Sequence, residues 1–77
     1  MREKIVEILT DIRPEFDFSQ ENVNFIEEGM LDSFDLVTLV SELDETFGIS
    51  INGIDIIPEN FSSVDNIESL LKKKKAQ

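Results

Sequence analysis

The sequence predicts an all-α domain of three longer helices and one short helix, with a long loop after the first helix. Two segments carry one-sided apolar stripes: Ile5, Val6, Ile8, Leu9 and Ile12 at offsets 0, 1, 3, 4 and 7, and Leu36, Leu39, Val40, Leu43 and Phe47 at offsets 0, 3, 4, 7 and 11. A third stripe, Val64, Ile67, Leu70 and Leu71, closes the chain. Partial strand-like alternation occurs at Ile49 to Ile57. Two strands without a third are marginal in water, so a connecting loop is expected there rather than a hairpin about Asn52-Gly53.

Each element has start and stop signals. The first helix has Glu3 in its first turn and Arg13 near its last, and Pro14 stops it because proline has no N–H for the next hydrogen bond. From Glu15 to Leu31 no period holds, but Phe16, Phe18, Phe25, Ile26, Met30 and Leu31 are spaced to pin a long loop onto a core. The second helix is expected to start with Asp32 as its cap and Ser33 as its first residue. Asp35 stands three residues after the cap, Leu31 and Leu36 form a hydrophobic staple, and Gly48 ends the helix. Pro58-Glu59-Asn60-Phe61 suits a single turn. Ser62 and Ser63 precede the last helix, with Asp65 and Glu68 near its positive end and Lys72 to Lys75 at its negative end.

The 77 residues are read as one domain, 1–77. A chain of this size buries only about 60% of the surface its unfolded form exposes, so an enclosed catalytic cleft is hard to build. Hydrophobic residues make up 40%, which is enough for a globule. Seventeen acidic residues oppose seven basic ones, for a net charge of −10. All of the acids and only three of the basics precede the lysine run, leaving residues 1–71 at −14. Such a field repels nucleic acid and anionic lipid, favours a monomer, and points to partner proteins with basic docking surfaces. No apolar run approaches the roughly 18 residues of a membrane span and no signal-peptide pattern opens the chain, so a cytoplasmic protein without membrane insertion is expected. The chain has no cysteine and no histidine, which removes disulfides, thiolate chemistry and the usual zinc or iron ligand sets. The acids around Asp32, Asp35 and Asp44 lack the ligand spacing of a calcium loop.

The candidate functional residue is Ser33. A catalytic serine needs a general base, and the sequence has no histidine and no lysine near Ser33. Hydrolysis by this chain is therefore not expected. As an anchor the serine is well placed, because a helix N-terminus offers unpaired N–H groups and partial positive charge to a phosphodiester on its hydroxyl. A serine at a helix start is commonly just a cap, but Asp32 can fill that role here and leaves Ser33 without it.

Gly29-Met30-Leu31-Asp32-Ser33-Phe34-Asp35 resembles the phosphopantetheine attachment motif of acyl carrier proteins, usually Asp-Ser-Leu. The resemblance continues through Leu36 to Gly48 and extends to the helix order, the long first loop and the final Ser-Ser-Val helix start. It implies an acyl-carrier-like four-helix bundle that is not itself an enzyme. By the same resemblance Ser33, preceded by Asp32, receives a covalent 4′-phosphopantetheine arm from coenzyme A through a magnesium-dependent phosphopantetheinyl transferase. The arm then presents acyl intermediates as thioesters to acyl-transferring or adenylating enzymes, in fatty-acid or related acyl metabolism.

The resemblance also implies that partner enzymes read the acidic second helix, here Asp35, Glu42 and Glu45, which fall away from the apolar stripe. A plain solvated face is the alternative reading of those acids. Phe34 and Val37 project near the same edge and either join that surface or pack under the first loop. Carriers of this family often fold a growing chain between their helices, which makes Leu39, Val40, Ile54, Phe61, Ile67 and Leu71 the candidate lining; ordinary core is the alternative for each. Phe34 stands where Leu is typical and Thr38 where an acid is frequent. Free-standing aminoacyl carriers, the D-alanyl carrier of teichoic acid modification among them, resemble the chain in length and in Gly-x-Leu-Asp-Ser, so D-alanyl or another aminoacyl cargo loaded by an adenylating ligase is the alternative. Peptide-synthetase domains, with Gly-Gly-His/Asp-Ser, match less well. A reading from a different class is an acidic adaptor that binds a basic partner without any covalent arm.

Overall fold

The computed structural model describes residues 1–75. Three α-helices, α1 (Arg2–Ile12), α2 (Ser33–Phe47) and α3 (Val64–Lys75), are joined by the long first loop and by a connection holding two 3₁₀ turns, Gly53–Asp55 and Pro58–Phe61. The second turn is the expected short fourth element, closed with 3₁₀ rather than α geometry. No strand occurs among the described residues, and Asn52-Gly53 opens a 3₁₀ turn instead of a hairpin: the Asp55 N–H donates to Asn52 O at 2.9 Å and the Ile56 N–H to Gly53 O at 3.1 Å. Among the described residues no helix is long and apolar enough to cross a membrane.

The helix boundaries follow the chemistry of their ends. The Arg13 N–H still reaches Leu9 O at 2.9 Å, and Pro14 then prevents a further turn. Gly48 adopts φ 63°, ψ 41° past the end of α2, a left-handed conformation that glycine enters without a Cβ penalty. At α3 the Ser63 hydroxyl accepts the Asn66 N–H at 3.1 Å.

Ile5, Ile8 and Leu9 of α1, Leu36, Leu39, Val40 and Leu43 of α2, and Val64, Ile67, Leu70 and Leu71 of α3 are buried in one core. α1 packs against both α2 and α3, and the Pro58–Phe61 turn lies against α3. The first loop completes the core with Phe18, Phe25, Met30 and Leu31, and the Phe18 and Phe25 rings meet edge to face at 5.0 Å. The Phe25 backbone ties this loop to the far end of the chain: its N–H donates to Ser62 O at 2.7 Å, and its carbonyl accepts from Met30 N (2.9 Å) and Leu31 N (3.2 Å).

Ile54, a candidate lining residue, is instead 84% exposed. The 3₁₀ turn around it points Asp55 inward and Ile54 outward, because the Asp55 carboxylate meets Lys74 Nζ at 2.5 Å. Leu39, Val40, Phe61, Ile67 and Leu71 are buried within the core. The lysine run is likewise divided among different tasks. Lys74 is almost wholly enclosed, with its side chain 6% exposed. Lys72 pairs with Glu68 at 3.8 Å, and the Lys75 ammonium lies over the Phe47 ring at 5.8 Å.

Removing one partner of an enclosed ion pair strands the other charge, at a cost of roughly 3 kcal/mol, whereas removing both leaves no stranded charge. Lys74→Met is therefore expected to destabilise the protein more than the double variant Lys74→Met/Asp55→Asn does, as measured by urea denaturation. A double variant as unstable as the single one would show that the pair is not a coupled unit.

Candidate functional site

Ser33 occupies the first helical position of α2 and is exposed. It owes that freedom to its neighbours. Asp32 is extended (φ −115°, ψ −176°), and its Oδ1 accepts the Asp35 N–H at 2.9 Å, while Asp35 Oδ2 accepts the Asp32 N–H at 3.0 Å. This reciprocal capping box satisfies donors that a helix start leaves open, so the serine hydroxyl is not needed for the cap. The staple residues on either side, Leu31 and Leu36, are both buried in the core and hold the entry angle of the chain.

Sequence reasoning missed Arg13. It lies just beyond the end of α1, and the packing of α1 on α2 carries it to the start of α2. Its Nε donates to Asp35 Oδ2 at 2.9 Å, its Nη2 lies 3.3 Å from Asp32 Oδ2, and its Nη1 lies 3.4 Å from Glu15 Oε2. In the sequence it stands 20 residues before Ser33, within a charge pattern that names no partner for it.

The electrostatics follow from these contacts. The hydrogen bond from the Asp35 N–H, and then the charge of Arg13, hold the Asp32 carboxyl below the usual aspartate range. The hydrogen bond to Asp35, followed by that residue's charge, raises Arg13 above its ordinary value. A guanidinium so held stays cationic and has no capacity to take a proton from Ser33. The site therefore offers an accessible hydroxyl on the positive end of a helix, flanked by carboxylates that the cap and Arg13 already engage. The positive end of a helix favours an anionic group on such a hydroxyl.

Around Ser33 the candidate partner residues divide. Phe34 is 84% exposed and Val37 65% exposed, so neither packs under the first loop. Phe34, Val37, Ser41 and Glu45 share one face of α2, at offsets 0, 3, 7 and 11, with Glu42 beside it and the buried stripe opposite. Glu42 and Glu45 are exposed and enter none of the ion pairs among the described residues. Asp35 departs from the expectation of a free docking acid. Its side chain is only 13% exposed, because both the cap and Arg13 draw it inward. A cleft of about 710 Å³ lies elsewhere, among Arg2, Val6, the loop from Phe18 to Val23, and Ser63 to Asp65. None of the candidate lining residues borders it.

A family model described as "Phosphopantetheine attachment site" matches residues 3–71. A D-alanyl carrier protein of Lactococcus lactis subsp. lactis (strain IL1403) is 28% identical over 76 residues, covering 97% of this chain and 96% of that protein. D-alanyl carrier proteins of Lactococcus lactis subsp. cremoris, strains MG1363 and SK11, are each 28% identical over 75 residues, covering 96% of this chain and 95% of theirs.

Asp32 adds stability to the fold in its charged form, and the direction of its shift sets the pH window. A carboxylate held below its ordinary value stabilises the fold above that value and stops doing so as pH falls through the folded one. The melting-temperature difference between the wild type and Asp32→Asn, whose amide oxygen still caps but carries no charge, is expected to be constant from about pH 7 to about pH 5 and to shrink below about pH 4. A difference independent of pH down to about pH 2 would remove the charge of Asp32 from the account.

Proposed function

This chain belongs to the phosphopantetheine attachment-site family, whose members carry the group covalently, and from that premise we propose that Ser33 bears the arm and that the whole chain, 1–77, acts as one carrier domain. The single observation that carries the assignment is the exposed Ser33 hydroxyl at the start of a helix already capped by Asp32 and Asp35. The group supplies a terminal thiol that holds an acyl cargo as a thioester, which this cysteine-free chain has no side chain to do.

Ser33 Oγ forms the new bond to the phosphorus of the pantetheine half of coenzyme A as the pyrophosphate P–O bond breaks, adenosine 3′,5′-bisphosphate leaves, and the serine proton passes to a base of the transferase, since this chain has no histidine and no lysine near Ser33. Asp32 and Asp35 keep the helix start in one conformation while the serine is engaged. Phe34 and Val37, next to Ser33, and Glu42 and Glu45, further along the same side, give partner enzymes an apolar contact with an acidic flank. A partner with a basic rim around an apolar patch complements that surface.

Incubating the purified protein with coenzyme A, magnesium and a broad-specificity phosphopantetheinyl transferase is expected to add one phosphopantetheine by intact mass, and Ser33→Ala is expected to abolish the addition. An unchanged wild-type mass, or continued addition to Ser33→Ala, would overturn the assignment.

The cargo is an acyl group in fatty-acid or related metabolism. A second reading, an aminoacyl and in particular a D-alanyl cargo, is supported by the names of relatives that align over nearly the whole chain. The two are separated by loading. Under the first reading the arm-bearing protein accepts an acyl group from fatty-acid enzymes and stays unloaded with D-alanine, ATP and a D-alanine-activating ligase. Loading by the ligase alone would select the second reading. Mass spectrometry and lability of the product to hydroxylamine report the thioester in either case.

A further inference from the structure

Attachment of an arm at Ser33 sets an electrostatic problem that the fold has to solve. The residue before Ser33 and the residue two after it are both carboxylates, and Glu15 is drawn to the same place by Arg13. A phosphodiester on the serine adds another anion to this cluster. Of the three cations in residues 1–71, Arg2 is committed to Asp65 and Glu68, and Lys4 to Glu7. Arg13 alone among them reaches the start of α2. A guanidinium carries five N–H donors. Three directions are used here, toward Asp35, Asp32 and Glu15, and each terminal nitrogen keeps a second N–H. The side chain is 34% exposed and so is only partly enclosed by its partners.

We propose that Arg13 is the positioning residue of the attachment point: it neutralises the capping carboxylates and directs its spare N–H groups toward the phosphate carried by Ser33. The inference rests on the reading that Ser33 bears the arm. It assigns Arg13 two roles. In the unmodified protein it joins the end of α1 to the start of α2 through Asp35 and Asp32. In the modified protein the same guanidinium offsets the added charge, so that modification does not weaken the helix start. Lysine keeps the charge of Arg13 but loses the planar fork that serves several oxygens at once.

The test compares unmodified and arm-bearing forms of the wild type, Arg13→Gln and Arg13→Lys, each verified by intact mass. Melting temperatures are measured for all six proteins, and phosphorus NMR is recorded on the three arm-bearing ones. A merely structural arginine would lower both forms of Arg13→Gln equally. The expected result is a larger fall for the arm-bearing form, by at least about 4 °C, together with a moved phosphodiester resonance in both variants. If Arg13→Gln does not fold, Arg13→Lys provides the same comparison with its charge retained. Equal falls in the two forms and an unmoved phosphorus resonance would overturn the role of Arg13 while leaving the Ser33 assignment intact. A wild type that accepts no arm would overturn both.

Discussion

Burial is the constraint on which the rest of this structure depends. At 77 residues the chain has little interior to spare, and three one-sided helices do not close a core by themselves. The first loop therefore contributes Phe18, Phe25, Met30 and Leu31 at depths equal to those of the helical residues. α1 is the shared support, packed on both other helices, and the Phe25 backbone fastens the loop to Ser62 at the entrance to α3. With the interior committed in this way, the exposed face of α2 remains for interaction.

The start of α2 shows how local capping and tertiary charge work together. Asp32 and Asp35 close a capping box that any isolated helix with this sequence could form. Only packing adds Arg13, which converts a pair of adjacent carboxylates into a network spanning two helices. Ser33 sits inside that network without being part of the cap. A local rule, that the cap is Asp32, thereby leaves the neighbouring hydroxyl exposed and outside the cap.

The family to which the chain belongs is defined by a phosphopantetheine attachment site, and the start of α2 is the exposed part of the molecule closest to that description. The molecule has an accessible hydroxyl with no histidine anywhere in the chain, a strong negative field, and exposed apolar residues beside the serine. These features are compatible with a chain that holds its group covalently, as the members of the family do.

Much of this was legible in the residues. Helical spacing located all three helices, and cap chemistry located both ends of α2, from Asp32 and Asp35 at its start to Gly48 at its end. The Asp-Ser segment in its flanking sequence pointed to the family that the match over residues 3–71 establishes. These signals are local, carried by residues a few positions apart. The sites of Arg13 and Lys74, and the low exposure of Asp35, were not legible, because each depends on a partner distant in sequence: Arg13 reaches Asp35, and Lys74 reaches Asp55, across other elements. Ile54 was misjudged for the same reason, since Lys74 draws Asp55 inward and leaves its neighbour exposed. The sequence by itself determined the helices, their caps and an available serine, because hydrophobic period and capping act within a turn or two. Only the tertiary structure decided which charges meet around that serine and which apolar residues stay in water, because those depend on how the helices pack.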